Sequence, residues 1–341
     1  MDKKHLFGKT LKELDSIITD QSLPAYNAKQ IAEWLYFNRA STIDEMTNLS
    51  QKTRQNLKEK FDVGLTAYSK VWLSKDGTKK YLFPVQESKF IESAFIPEDY
   101  GNTICVSSQV GCKMGCKFCM TGKQGFQGNL SANEILNQIR SMDESEKISN
   151  IVFMGMGEPF DNIEEVLKSL EILTSSYGYA MSPKRITVST IGIVSGLKRF
   201  LKMSKCHLAI SLHSPFDEER DRIMPVQKTN PLKEVLNEIR KYDFSGQRRV
   251  SFEYIMFKGV NDTSMHVNEL IRILHGFSCR VNLIHFHSIP GVEFTSSDEH
   301  TIKLFERALN DKGIYTTVRT SRGLDIQAAC GMLSTGELRN Q

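Results

Sequence analysis

Three thiols lie within an eight-residue Cys-x3-Cys-x2-Cys run formed by Cys112, Cys116 and Cys119. Three closely spaced thiolates can bind three irons of a [4Fe–4S] cluster, which leaves the fourth iron without a protein ligand. An iron with open coordination positions can bind a small molecule. Gly111 and Gly115 lie beside and within the run, and glycine permits the tight turns by which a loop wraps around a cluster. We therefore predict an iron–sulfur loop that also binds a ligand.

Zinc is the alternative interpretation of this cysteine run. Structural zinc usually takes four ligands, commonly from paired Cys-x2-Cys elements. The sequence has no second pair nearby, and the nearest remaining thiol that could complete a set is Cys105. Of the other cysteines, Cys206 and Cys279 flank apolar stretches and read as small buried residues. Cys330 lies in a short C-terminal tail, which can fold over a barrel mouth.

A second group of residues suited to ligand binding follows the predicted strands. Met154–Pro159 reads Met-Gly-Met-Gly-Glu-Pro, in which the glycines allow a ligand to approach the backbone and Glu158 can accept hydrogen bonds from an ammonium group. Polar residues also end three later strands, at Ser189-Thr190, Ser211-Leu212-His213 and His285-Phe286-His287. A single histidine is more often structural, but polar groups at converging strand ends favour ligand contacts.

Strands and helices alternate from about residue 104 onward, and their order predicts how these residues meet. The predicted strands are Ile104–Ser107, Asn150–Met154, Arg185–Ser189, His207–Leu212, Arg249–Ile255, Arg280–Ile284 and Thr316–Arg319. The predicted helices are Ala132–Met142, Ile163–Ser175, Ile193–Leu201, Leu232–Tyr242, Met265–Leu274 and Glu299–Asp311. Six strand-then-helix units imply a parallel sheet with helices outside, and six are fewer than the eight of a closed barrel. The predicted fold is therefore α/β, a partial (βα)6 TIM-like barrel with its ligands at the carboxyl ends of the strands.

Two smaller segments precede the barrel, which we predict to span residues 104–341. Residues 1–65 show helical spacing and form either a small packing module or an RNA-docking domain, which helical spacing alone does not separate. Residues 66–103 alternate around the hairpin turn Asp76-Gly77 and predict a short β extension. Glu92 falls in this extension, either on a solvated strand face or held for chemistry, and the residues alone favour the solvated face.

Composition indicates an ordinary globular protein of 341 residues, with 40% hydrophobic and 25% charged residues. No apolar run approaches the roughly 20 residues of a membrane span, and the N-terminus lacks the apolar core of a signal peptide. Seven cysteines, locally clustered, are too few for a disulfide scaffold and favour a reducing compartment, so we expect a cytoplasmic protein. The net charge of +4 permits an anionic partner without requiring one. Basic residues near loops are either RNA contacts or a solvated surface, namely Lys75, Lys79, Lys80, Arg248, Arg249, Arg319 and Arg322.

Taken together, the motifs resemble those of the radical S-adenosylmethionine RNA adenine methyltransferases, the RlmN/Cfr family. The resemblance covers nearly the full chain and is closest to the RlmN branch. The stretches on which it rests are Cys105–Cys112, Met154–Pro159, Val188–Gly192, Ile210–Ser214, Arg319–Cys330 and the N-terminal helices. It implies a radical S-adenosylmethionine barrel that binds a [4Fe–4S] cluster and S-adenosylmethionine.

The resemblance implies a role for each matching residue. The cluster ligands would be Cys112, Cys116 and Cys119. The contacts to S-adenosylmethionine would be Gly157, Glu158, Ser189, Ser211, Leu212 and His213, together with His287, where the family usually has asparagine. The catalytic residues would be Cys330 as the methylated carrier thiol, Cys105 as the resolving thiol and Glu92 as the proton acceptor. This role replaces the solvated-face interpretation of the carboxylate.

The reaction implied by this resemblance uses two molecules of S-adenosylmethionine per turnover. The first would methylate Cys330, and the second would give a 5′-deoxyadenosyl radical that takes a hydrogen from that methyl group. The methylene radical would add to adenine, Glu92 would remove the ring proton, and Cys105 would release the product by forming a transient disulfide with the carrier. Arg319 or Arg322, close in sequence to the carrier, would help to form the attacking thiolate.

The implied substrates are an adenine in the peptidyl-transferase centre of 23S rRNA and an anticodon-adjacent adenine of certain tRNAs. An external flavodoxin- or ferredoxin-like protein would donate the electron to a monomeric enzyme. Methylation at C8 of adenine, as in Cfr, is an alternative, and C2 is favoured as the commoner housekeeping activity. A radical activase acting on a protein is another, but it would not need Glu92, Cys105 and Cys330 together. A zinc-stabilised RNA-binding protein is the non-enzymatic alternative.

Overall fold

A continuous sheet organises the computed structural model, which describes residues 3–86, 88–244, 246 and 248–335. Within these residues the sheet has ten strands, and two short strand pairs lie outside it. The strands, in chain order, are β1 (Lys4–His5), β2 (Phe61–Asp62), β3 (Lys70–Leu73), β4 (Lys79–Val85), β5 (Lys89–Ile96), β6 (Asn102–Cys105), β7 (Gln109–Val110), β8 (Gly128–Asn129), β9 (Ile148–Phe153), β10 (Ile186–Thr190), β11 (His207–Ser211), β12 (Val250–Met256), β13 (Cys279–His285) and β14 (Tyr315–Arg319).

The helices follow the order that the sequence predicts. They are α1 (Leu11–Asp20), α2 (Tyr26–Ala32), α3 (Gln51–Lys60), α4 (Met120–Gln124), α5 (Ala132–Arg140), α6 (Ile163–Thr174), α7 (Val194–Met203), α8 (Asp217–Ile223), α9 (Leu232–Ile239), α10 (Ser264–Leu274) and α11 (Glu299–Asn310). A π-helical turn, Glu33–Phe37, continues α2, and 3-10 turns occupy Ile43–Glu45, Pro183–Arg185, Pro225–Lys228 and Leu324–Ile326. The six helices predicted for the barrel are confirmed, each beginning within one residue of the expected position. In the described part of the chain, no helix is long and apolar enough to cross a membrane.

The order of strands in the sheet is β14-β13-β12-β11-β10-β9-β6-β5-β4-β3. From β6 through β9 to β14 the neighbours pair in parallel, whereas β3 to β6 pair antiparallel. Six strand-then-helix units followed by β14 confirm the partial (βα)6 barrel of α/β type. The hairpin predicted around Asp76-Gly77 is also confirmed, because this turn joins β3 to β4. The antiparallel strands extend the barrel sheet itself, and the domain boundaries at residues 65 and 103 stay predictions.

Strand register sorts the barrel side chains into an apolar outer layer and a polar inner face. Successive side chains of a strand point to opposite faces of the sheet. Val188 on β10 and Phe252 on β12 belong to the large buried core that also contains the helix side chains. The alternate residues line the interior, where paired neighbours across four strands are Ser211, Glu253, Asn282 and Thr317. The chemistry-bearing groups therefore share one face of the sheet.

Helix starts show which local signals the sequence carries. Ser131 and Glu134 form a capping box at the start of α5, in which the Ser131 N–H donates to the Glu134 carboxylate at 2.8 Å. The sequence analysis does not predict α8, because its seven residues contain a single apolar residue, Ile223, and so show no helical period. One side chain of this helix, that of Arg220, reaches the candidate site.

Helix α5 attaches the N-terminal helices to the barrel. Asn137, which is 4% exposed, accepts a hydrogen bond from the Thr66 N–H at 3.0 Å and donates to the Thr66 carbonyl at 2.8 Å. Asn133, one turn earlier, donates to the carbonyls of Gly64 at 2.8 Å and Phe7 at 3.2 Å. Two side-chain amides thus hold the chain where it passes from the helical segment to the β extension.

We expect Asn137→Ala to loosen this attachment, because the N–H and C=O of Thr66 both lose their partner. The expected loss is about 1–2 kcal/mol in the free energy of unfolding, with faster hydrogen exchange at the Thr66 amide. Denaturant unfolding and amide exchange measure the two effects. Asn237→Ala, at an exposed position of α9, is the matched control and should change stability by less than about 0.5 kcal/mol. Unchanged exchange at Thr66 would contradict the prediction.

Candidate active site

A small hairpin frames the loop that contains the cysteine run. β7 and β8 pair antiparallel on either side of the run, so the loop between them is closed at its base. Gly111 has φ +70°, and a Cβ at this position would lie 1.7 Å from the carbonyl oxygen of Gly125. Only glycine satisfies both the left-handed backbone and this close approach. The loop conformation is therefore specified by its glycines as much as by its thiols.

The three thiols lie in largely buried positions of this loop. Cys112 and Cys116 are buried, and Cys119 is half-buried at the N-terminus of α4. Burial raises the pKa of Cys112 to about 12, to which Glu158 and Cys119 contribute, and burial raises the pKa of Cys116 well above its usual range. The positive charge of bound metal would stabilise the deprotonated, thiolate form of these groups. Three thiols of one loop are the donor set of a [4Fe–4S] cluster with one open iron.

The zinc alternative requires Cys105 beside these thiols, and the geometry does not support it. Cys105 ends β6 and packs with Ala94 and Ala328 in a separate buried cluster. Its interacting charges are Cys330 and Arg319, not the cysteine run.

The Gly-Glu loop after β9 packs directly against the base of the cysteine loop. Gly157 has φ +96°, and a Cβ there would lie 2.5 Å from the Cβ of Gln109 on β7. The N–H of Glu158 donates to Gln109 Oε1 at 2.9 Å. The amide nitrogen of Gln109 donates to Asn129 Oδ1 on β8 at 2.8 Å and to Asp161 Oδ2 at 2.7 Å. Gln109, which the sequence analysis missed, therefore joins the two ligand-binding loops.

The carboxylate of Glu158 is buried and bonded to the next strand. Oε1 accepts hydrogen bonds from the Thr190 hydroxyl at 2.6 Å and the Phe160 N–H at 2.9 Å, and Oε2 accepts one from the Ile191 N–H at 3.0 Å. Burial raises the pKa of Glu158 to about 7, and the three donors oppose this rise. A carboxylate has about four acceptor positions, so Oε2 keeps room for one further donor. An ammonium group of a ligand is such a donor.

His213 follows the end of β11 in a backbone conformation that few residues other than glycine adopt. Its φ is +54°, and its Nδ1 accepts a hydrogen bond from the Ile255 N–H at 3.0 Å. Burial lowers the pKa of His213 to about 3, so the ring is neutral and its proton is on Nε2. The ring packs edge-on against Phe118 of the cysteine loop, with centroids 4.8 Å apart. Leu212 is buried beside it, and Ser211 is half-buried at the same strand end.

The remaining predicted ligand contacts lie on neighbouring strands. Ser189 is half-buried on β10, two residues before the Ile191 N–H that holds Glu158. His287 follows β13, and its Nε2 lies 2.6 Å from the Ser321 hydroxyl, on the segment that leads to Cys330. Burial and the nearby His285 lower the pKa of His287, which favours the neutral ring. The structure thus places this histidine against the C-terminal segment.

Glu92 is 3% exposed on β5, so the solvated-face interpretation is wrong. Its Oε1 lies 3.0 Å from Lys80 Nζ, and its Oε2 accepts a hydrogen bond from the Ser334 N–H at 3.0 Å. Lys80 is 7% exposed and lies on β4, two residues from the position paired with Glu92. Lys80 is therefore a partner of the carboxylate, and the interpretation of Lys80 as a phosphate contact is wrong.

The two remaining thiols lie together with an arginine. Burial raises the pKa of Cys105 to about 12, and Cys330 adds to this rise while Arg319 opposes it. Cys330 is exposed, yet the protein around it raises the pKa of its thiol, again opposed by Arg319. Arg322 instead pairs with Glu98, with Nη2 3.1 Å from Oε2. Of the two arginines that the sequence suggests, Arg319 is the one beside the thiols.

The segment bearing Cys330 is attached on both sides. Before it, Asp325 accepts hydrogen bonds from the Ser74 hydroxyl and the Lys75 N–H of the β3–β4 turn. After it, the Gly331 carbonyl accepts from the Met120 N–H at 2.8 Å, at the start of α4. The C-terminal segment therefore bridges the β extension and the cysteine loop, which brings Cys330, Cys105 and Glu92 to one mouth.

Other basic residues from the sequence analysis differ in their surroundings. Arg248 is buried and donates to the Leu201 carbonyl at 3.1 Å, so its interpretation as an RNA contact is wrong. Lys79 is paired with Glu144. Lys75 and Arg249 are exposed and stay candidates for phosphate contacts.

Sequence and structure comparisons relate this geometry to known proteins. The profile of the ribosomal RNA large subunit methyltransferase N-terminal domain matches residues 4–63, and that of the radical SAM superfamily matches residues 106–271. The chain is 56% identical over 337 residues to the probable dual-specificity RNA methyltransferase RlmN of Bacteroides thetaiotaomicron, which covers 99% of this chain and 98% of the relative. It is 41% identical over 338 residues to the dual-specificity RNA methyltransferase RlmN of Syntrophus aciditrophicus, covering 98% and 97%. The crystal structure of a radical SAM methyltransferase from Sphaerobacter thermophilus matches with a TM-score of 0.89 at 37% identity, covering 96% of this chain and 98% of that one.

The buried carboxyl of Glu158 predicts a pH dependence of stability. Its pKa is about 7 in the folded state against 4.5 for the ordinary group, so between these values the folded state binds more protons and stability falls as pH rises. Glu158→Gln cannot ionise and should flatten this slope between about pH 5 and pH 7.5, although the lost hydrogen bond lowers stability throughout. Denaturant unfolding at the two pH values measures it. Glu218→Gln, exposed on α8, should keep the wild-type slope, and equal slopes in all three proteins would contradict the prediction.

Proposed function

Because the chain belongs to the RlmN family of dual-specificity RNA methyltransferases, we propose that it methylates C2 of adenine in two RNAs. The substrates are an adenine in the peptidyl-transferase centre of 23S rRNA and an anticodon-adjacent adenine of certain tRNAs. The observation on which this rests most directly is the meeting of Glu92, Cys105 and Cys330 at the mouth that also holds the cysteine loop. An adenine must be unstacked from its RNA to enter this mouth.

Membership of the radical SAM superfamily implies a [4Fe–4S] cluster and S-adenosylmethionine. When bound, they supply a 5′-deoxyadenosyl radical by one-electron cleavage of the sulfonium. Cys112, Cys116 and Cys119 would hold the cluster. The residues that would hold S-adenosylmethionine are Gly157, Glu158, Ser189, Ser211, Leu212, His213 and His287. We propose two molecules of S-adenosylmethionine per turnover, one for each half of the reaction.

Cys330 would carry the methyl group. C2 of adenine is not nucleophilic, so direct transfer of a methyl group from a sulfonium to this carbon is slow. A methylene radical bound to the Cys330 sulfur can add to the ring instead. The attachments through Asp325 and Gly331 hold this thiol at the mouth, which limits the positions that its sulfur can take.

Glu92 would take the C2 proton after the addition. The ion pair with Lys80 favours the carboxylate, which is the form that accepts a proton. The Ser334 N–H holds the second oxygen and so fixes the plane of the carboxyl group. Lys80 would therefore position the general base and favour its reactive form.

Cys105 would end the reaction by attacking the Cys330 sulfur. The unpaired electron left on the adduct by the addition would pass back to the cluster. A new S–S bond forms, the bond between sulfur and the methylene carbon breaks, and its electron pair takes up a proton at that carbon, so the product leaves with a methyl group on C2. The attacking group must be a thiolate, and Arg319 opposes the rise in pKa that burial imposes on Cys105. All seven cysteines are free in the structure.

The other candidate functions differ in how much of this geometry they use. A protein activase needs the cluster but gives no role to Glu92, Cys105 and Cys330 together, and methylation at C8 would use the same residues. As parts of the proposal, an external flavodoxin- or ferredoxin-like protein supplies the electron, the enzyme acts as a monomer, and its RNA substrates place it in the cytoplasm.

Replacing the resolving thiol should trap the reaction. We expect Cys105→Ala to accumulate enzyme covalently joined to RNA through Cys330, because nothing else breaks the bond between sulfur and the methylene carbon. Denaturing gel electrophoresis before and after nuclease digestion measures this adduct. Cys206→Ala, a buried cysteine outside the site, should release product normally. Free, unmodified RNA from Cys105→Ala at normal protein levels would count against the proposal.

Mass spectrometry of RNA from a deletion strain tests the substrates and the position together. We expect 2-methyladenosine to disappear from both 23S rRNA and tRNA, and to return when the gene is supplied on a plasmid. A plasmid encoding Cys330→Ala should fail to restore it, because the carrier sulfur is missing. Loss of 8-methyladenosine instead would establish the alternative position, and unchanged RNA would reject the proposed function.

A further inference from the structure

Arg220 on α8 is a fully buried cation at the strand ends, with 0% of its surface exposed. Its guanidinium donates to the carbonyls of Leu212 at 3.2 Å, Ser211 at 3.2 Å and Ile191 at 2.8 Å. It also donates to Gln227 Oε1 at 2.5 Å. One side chain thus holds the ends of β10 and β11, which are the ends proposed to bind S-adenosylmethionine.

These partners are all neutral, which is unusual for a buried guanidinium. Within the described residues, its hydrogen bonds go to three carbonyls and one amide oxygen, and the carboxylate of Asp217, which is exposed, is linked to it through the Gln227 amide. Burial lowers the pKa of Arg220 to about 10, so the group stays charged at neutral pH. A buried charge without an ionic partner is costly, and such a group persists where another charge compensates it.

The cysteine loop is the neighbour that can supply that charge. The Lys117 N–H donates to the Ile223 carbonyl at 3.0 Å, which fixes the loop to the C-terminal end of α8. Cys116 lies in the same buried cluster as Ile223 and as Ile191, whose carbonyl accepts a hydrogen bond from the guanidinium. The cation therefore faces the loop that would hold the cluster.

We propose that Arg220 is a positioning residue that raises the reduction potential of the cluster held by Cys112, Cys116 and Cys119. This inference rests on the proposed function, because it requires the cluster. One electron from an external low-potential donor converts the [4Fe–4S]2+ core to [4Fe–4S]+, and no proton or leaving group takes part. The reduced site carries one more negative charge than the oxidised site. A fixed cation in a region of low dielectric constant stabilises the more negative state.

The same residue supports the strand ends through its hydrogen bonds, so charge and geometry must be separated. Arg220→Gln removes the charge and keeps a hydrogen-bonding side chain, whereas Arg220→Lys keeps the charge and loses the forked geometry. Arg248→Gln is the matched control, because Arg248 is also buried but lies at the start of β12, away from the strand ends. Arg220→Met replaces Arg220→Gln if the latter does not fold.

The test is a redox titration of the anaerobically reconstituted proteins, followed by electron paramagnetic resonance of the reduced cluster. At a fixed potential, the ratio of reduced to oxidised cluster should fall about tenfold in Arg220→Gln, a shift of about 59 mV for one electron. Arg220→Lys should stay near wild type in potential but bind S-adenosylmethionine several-fold more weakly, as measured by calorimetry. Arg248→Gln should match wild type in both.

A wild-type potential in the neutral variants would overturn the inference and leave Arg220 as a support of the strand ends. A potential in Arg220→Lys as low as that of the neutral variant would overturn it too, because the charge is retained. Failure of the proposed function gives a different result, since RNA from the deletion strain would then keep its 2-methyladenosine whatever the potentials of the cluster variants.

Discussion

The buried carboxylate of Glu158 is the interaction on which the mouth of the barrel depends. Its own N–H is held by Gln109 of the cysteine loop, and its oxygens hold Thr190 and Ile191 at the end of β10. The Ile191 carbonyl accepts a hydrogen bond from Arg220, which also donates to the Ser211 carbonyl at the end of β11. An unbroken chain of hydrogen bonds thus runs from the cysteine loop across the strand ends. This chain of hydrogen bonds fixes the relative positions of loops that are far apart in sequence.

The two reactive thiols differ in a way that suits their order of use. Cys105 is buried at the end of β6 and its thiol is difficult to ionise, whereas Cys330 is exposed on an attached segment. In the proposed reaction the accessible sulfur would be methylated first, and the buried sulfur would attack last. Arg319 lies near both and favours the anionic form of each. Arg319 at the end of β14 thus supplies the positive charge, and the C-terminal segment supplies the proposed carrier thiol.

Much of this arrangement was predictable, because it depends on local periodicity and spacing. Buried parallel strands and amphipathic helices have strong patterns, and the carboxyl ends of parallel strands meet by topology. The placement of Glu92 was not predictable from its neighbours, because its burial depends on Lys80 across the sheet and on Ser334 near the chain end. Arg220 was missed since α8 is too short and too polar to show a helical period. Residues whose roles depend on distant partners leave little local signal.

The attachment of the C-terminal segment has a consequence for biosynthesis. The segment binds Thr121 and Glu92, which precede their partners Leu333 and Ser334 by 212 and 242 residues. A chain is synthesised from its N-terminus, so the segments that carry these docking positions leave the ribosome before Cys330 does. The barrel can therefore begin to fold while the proposed pair of Cys105 and Cys330 is still incomplete. Translation thus separates the synthesis of the earlier site residues in time from the moment at which a disulfide between Cys105 and Cys330 could form.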